Sequence, residues 1–65
     1  MTRDVERWWT TGGDRVEVWQ DIEGQYRWTV RAANGEVVGS GEAHPRRENA
    51  VRAAERHHPR VEAES

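Results

Sequence analysis

Residues 15–41, RVEVWQDIEGQYRWTVRAANGEVVGSG, alternate apolar and polar side chains through two successive runs, and this constrains the fold more than any other stretch. Val16 and Val18 alternate with Arg15, Glu17 and Gln20. Further on, Tyr26, Trp28, Val30 and Ala32 alternate with Arg27, Thr29 and Arg31. A period of two sends one set of side chains to a buried sheet face and the other to water. Asn34-Gly35 separates the second run from a third, Glu36 to about Ser40, and such a pair is the preferred centre of a type I′ hairpin turn. Asp21-Ile22-Glu23-Gly24 joins the first two runs, with Gly24 available for a left-handed turn residue. The expectation is a three-stranded antiparallel meander with the long second strand, Gln25 to Ala33, in its middle. Gly39 and Gly41 weaken the third strand and mark a bulge or a close backbone approach.

The flanking segments attach to that meander. Pro45 suits a first helical turn, so a helix is expected from Arg46 or the residue before it to His57, with Pro59 stopping it. Ala50, Val51, Ala53, Ala54 and His57 form its apolar stripe. An alanine-lined helix complements a sheet face carrying Trp28 and Tyr26, because large side chains in one layer need small ones opposite. Residues 1–14 read as an N-terminal extension, partly flexible, ending in a Gly12-Gly13 hinge. Within it Trp8-Trp9 either packs back on the sheet or a partner, or presents recognition groups. Residues 59–65 alternate again, a pattern shared by a tail and a short fourth, C-terminal strand.

Sixty-five residues make one small α+β domain at residues 15–58 plus these flanks. With no Cys, no Phe and no Leu, the interior must come from Val, Ala and four Trp. Burial on that scale falls short of the entropy cost of ordering the chain, so a homodimer that shares its core is expected. Ten basic residues, all Arg, against twelve acidic ones give a net charge of −2 without blocks of one sign. That balance disfavours nucleic acid as the main partner, and no apolar run reaches membrane-spanning length. A cytoplasmic protein is expected.

The middle of the chain resembles the YegP-like family of small domains of unknown function. The resemblance rests on Val16, Val18 and Trp19, Asp21 and Gly24, the Tyr26-Arg27-Trp28 run, Arg31-Ala32, Asn34-Gly35, Val37-Val38 and Ser40, followed by an Ala-rich helix. It implies a unit of three strands and one helix that occurs as a tandem repeat or a homodimer. This chain holds one unit. It departs from the family at His44-Pro45-Arg46-Arg47, where a Ser-Lys pair is common, and in its Trp8-Trp9 extension.

Candidate chemistry is sparse. His44, His57 and His58 lack the spacing of a zinc motif and suit a helix C-terminus. No phosphate-loop pattern and no nucleophile-base arrangement is present, so neither cofactor, metal nor enzymatic activity is expected. The reading is a non-enzymatic protein-interaction module acting as a homodimer, with Trp8, Trp9 and Trp19 as aromatic anchors for itself or an unknown protein partner. The alternative is a weak, sequence-tolerant single-stranded nucleic-acid binder using Trp19, Arg27 and Arg31 on the outer sheet face.

Overall fold

A computed structural model describes residues 3–61. Four strands, β1 (Arg3–Trp9), β2 (Arg15–Gln20), β3 (Tyr26–Arg31) and β4 (Val37–Ser40), are followed by one helix, α1 (Arg47–His57). The sheet is antiparallel with its strands in chain order. The α+β class, the meander at 15–41 and the C-terminal helix are as the sequence implies.

The fourth strand comes from the N-terminal end. Residues 3–9 pair with β2, from Arg3 opposite Gln20 to Trp9 opposite Arg15. β1 is also the longest strand, and β2 and β3 together occupy the centre. At the other end of the chain there is a single bridge, Arg60 opposite Thr10, with the Val61 amide donating to the Trp9 carbonyl at 2.8 Å. The rest of the expected C-terminal segment, 62–65, lies outside the described residues, as do residues 1 and 2.

One turn geometry builds all three hairpins. The amides of Thr10, Asp21 and Ala32 donate to the carbonyls of Asp14, Gln25 and Glu36, and the amides of Gly13, Gly24 and Gly35 donate back to Thr10, Asp21 and Ala32. Each glycine has φ between 84° and 90°. These are three-residue loops with glycine in the left-handed position. Asn34 keeps a negative φ, so the Asn34-Gly35 turn is not the two-residue type I′ turn its sequence suggests. Instead the Asn34 side-chain oxygen accepts from the Glu36 amide at 2.9 Å. Asp21 and Thr10 brace the other two turns in the same way.

The core lies between α1 and one face of β2 and β3. It consists of Val16, Val18, Trp28, Val30, Ala50 and Ala54, and Trp8 joins it from β1. Val5, Tyr26 and Val51 pack at its margin. Alanine at 50 and 54 lets the helix backbone come close to the Trp28 layer. Beyond Ser40 the chain continues along β3, with a Gly41 amide bond to the Trp28 carbonyl and a reciprocal pair between Tyr26 and His44 at 2.7 Å. Gly41 is required there, because a Cβ would stand 2.1 Å from Trp28 Nε1 and Cε2.

Candidate interaction surfaces

Strand parity sorts the sequence-predicted residues onto two faces. Trp8 is opposite Val16 and points into the core, where it is 6% exposed. Its Nε1 donates to the His58 carbonyl at 2.9 Å, and the Arg60 guanidinium lies 4.5 Å from its ring centre. Trp9 therefore projects from the opposite face and is 56% exposed. Arg7, Arg15, Glu17, Trp19, Arg27, Thr29 and Arg31 share that face by register. No element among the described residues covers it. The structure thus brings Trp9, Trp19, Arg27 and Arg31 together and assigns Trp8 to the interior.

Most of the charge on this face is paired. Arg15 and Arg31 each take one oxygen of Glu17, at 2.8 and 3.3 Å. Arg31 also donates to the Gly35 carbonyl at 3.1 Å. Arg27 is held by Asp21 at 2.9 Å, and that hydrogen bond from Arg27 lowers the Asp21 pKa below its ordinary value. Trp19 Nε1 donates to Thr29 Oγ1 at 2.9 Å, which holds the indole across the sheet towards β3. Arg7 belongs with this group although sequence reasoning leaves it out, because its placement depends on a strand the sequence pattern does not announce.

The two sheet edges differ. Along β1 a bulge interrupts the register between Asp4 and Glu6. Arg47 donates to the Val5 carbonyl at 3.1 Å, and Val61 to that of Trp9. Bulges, charges and covering contacts of this kind block strand addition. Among the described residues, β4 has no charged side chain and no covering hydrogen bond along its outer side. Its Val37 and Val38 are 52% and 55% exposed, and its sequence, VVGS, carries no charge. Like β1 it carries a bulge, in its pairing with β3 between Val30 and Arg31, where Val38 is the extra residue, one position before Gly39.

The three histidines gather around one groove of about 620 Å³ beside Trp28, together with Glu42 and Ala53. His57 stacks on the Trp28 indole with ring centres 6.2 Å apart, and His58 meets it edge-on at 5.5 Å. Their part in the structure is to close the core at the helix end. Among the described residues no three His, Cys, Asp or Glu side chains are grouped to hold a metal ion, and no helix is long and apolar enough to cross a membrane.

A four-stranded antiparallel sheet with one helix on one face, an uncharged edge strand and an aromatic-basic open face defines a small α+β module. Residues 21–56 match the family described as Domain of unknown function (DUF1508), more than half of the chain, and the chain belongs to that family. Two proteins of Neisseria meningitidis are similar: UPF0339 protein NMB1088 of serogroup B and UPF0339 protein NMA1193/NMA1859 of serogroup A. Each is 36% identical over 39 residues, which cover 60% of this chain and 70% of the relative. No solved structure matches the chain significantly. The YegP-like resemblance is borne out, and β1 lies outside the matched residues.

Proposed function

We propose that this chain is a non-enzymatic, cytoplasmic protein-interaction module that works as a homodimer joined edge to edge through β4. One observation carries the reading: an uncharged edge strand with two valines more than half exposed, in a sheet whose other edge is blocked. An antiparallel β4–β4 pair gives each copy's free amides and carbonyls a partner and buries Val37 and Val38 across a two-fold axis. Gly39 allows the close backbone approach such pairing needs. Trp9 and Trp19 then lie on the face turned away from the joined helices, open to a further contact.

The absence of enzymatic chemistry is part of the proposal. The carboxylates with displaced pKa values, Glu6 and Asp21, are both lowered by arginine partners, away from the range of a general acid at neutral pH. Replacement of Val38 by Lys tests the reading, since a charge at an edge opposes strand addition without touching the core. Sedimentation should give a two-chain mass for the wild type at micromolar concentration and a one-chain mass for Val38→Lys with unchanged helix and strand content. Equal masses for the two proteins contradict it.

A further inference from the structure

Two guanidinium groups hold one carboxylate on the uncovered sheet face, with a third arginine on the strand beside them. Both oxygens of Glu17 are taken, one by Arg15 and one by Arg31. Arg7 stands directly opposite Glu17 in the β1–β2 register, yet none of the ion pairs among the described residues includes it. Asp4 borders the neighbouring hollow with Trp19 and Arg31, so three cations face two anions here and one positive charge is left over. In a chain of net charge −2 that surplus is local. Arg7 and Arg15 also wall a hollow of about 400 Å³ with Trp9, whose exposed ring lies 5.9 Å from the Arg15 guanidinium.

The spacing of the two indoles narrows the class of ligand. Trp9 is opposite Arg15, and Trp19 is four residues further along β2, a separation along the strand backbone of about 13 Å at roughly 3.3 Å per residue. No single ring spans that distance. A chain alternating flat rings with anionic groups does.

We propose that this face binds single-stranded nucleic acid weakly and without sequence preference, Trp9 and Trp19 stacking bases while Arg7, which lies between them in the register, holds the intervening phosphate. The site is separate from the β4 edge, so binding and dimerisation fail or survive independently. The net negative charge of the chain supplies no long-range attraction, and affinity comes from contact alone. One neutralised phosphate, matching the one surplus charge, corresponds to a slope of log K against log salt of about −0.7 on a single strand.

Titration of oligothymidylate into the full chain, followed by tryptophan emission and by the anisotropy of a labelled oligonucleotide at several salt concentrations, tests this. The expected result is quenched emission with that slope. Arg7→Ala, which removes a side chain with no ion-pair partner among the described residues, should weaken binding several-fold and lower the slope by about 0.7. Trp9→Ala should weaken it too and remove part of the quench, while the far-ultraviolet spectrum stays unchanged. Polyglutamate should compete poorly. No binding at low salt, wild-type affinity in Arg7→Ala, or polyglutamate competing as well as the oligonucleotide would each overturn the proposal, the last in favour of an acidic peptide.

Discussion

At the scale of single residues, the interior is a fit between one large ring and several very small groups. Trp28 is 6% exposed and rests on Ala50, Ala54 and the backbone of Gly41. Gly41 has an ordinary backbone conformation, so its requirement is steric. Gly41→Ala would press a methyl group into the indole, which must shift to admit it. The expected loss is about 1–3 kcal/mol of stability, the usual cost of overpacking, read from denaturant midpoints. Part of this was legible: Trp28, Val30 and the alanine stripe declare themselves by period. Trp8 did not. The bulge between Asp4 and Glu6 places Val5 and Trp8 three residues apart, and Glu6 sits opposite the buried Val18, so a charged residue occupies an inward position. Alternation is broken at the positions where it would have been read.

At the scale of elements, β1 is held by two arginines that reach it from the helical layer. Glu6 lies between Arg60, at 2.8 Å, and Arg47, at 3.3 Å, and Arg60 also pairs with Glu55 on α1. The Arg60 hydrogen bond, against the opposing effect of burial and with help from Arg47, holds the Glu6 pKa below its usual 4.5. A carboxylate whose folded pKa is lowered contributes stability that is complete above the unfolded value and disappears as pH falls through the folded one. Stability is therefore expected to be flat from neutrality to about pH 5 and to decline below that. Arg60→Gln should move the Glu6 titration up towards 4.5 and flatten part of the decline. Asp21, lowered through Arg27, should keep the remainder. Carboxyl carbon chemical shifts followed against pH check both, and an unmoved Glu6 titration in Arg60→Gln would show that the strap does not hold it. The hairpin before β2 had a signal that alternation lacked. Gly13, Gly24 and Gly35 recur every eleven residues with the same left-handed backbone, and Gly12-Gly13 is the first of three equivalent turns, although its sequence reads as a hinge.

At the scale of the whole molecule, β1 supplies in one chain part of the interior that the composition led one to seek from a second copy. Trp8 closes the core beside Val16, and the argument for pairing passes from a missing interior to an unsatisfied edge. The open-face site was half legible for a related reason. Trp19, Arg27 and Arg31 share parity in a recognisable meander, whereas Arg7 and Trp9 join them only through a strand whose period is interrupted. The central claim is that β4 meets β4, and mixing isotope-labelled with unlabelled protein tests it most directly. An isotope-filtered Overhauser experiment should give contacts between the methyl groups of Val37 and Val38 in one copy and β4 protons of the other. A spectrum with no such contacts, together with diffusion at the rate of a 7.5 kDa chain, would contradict it.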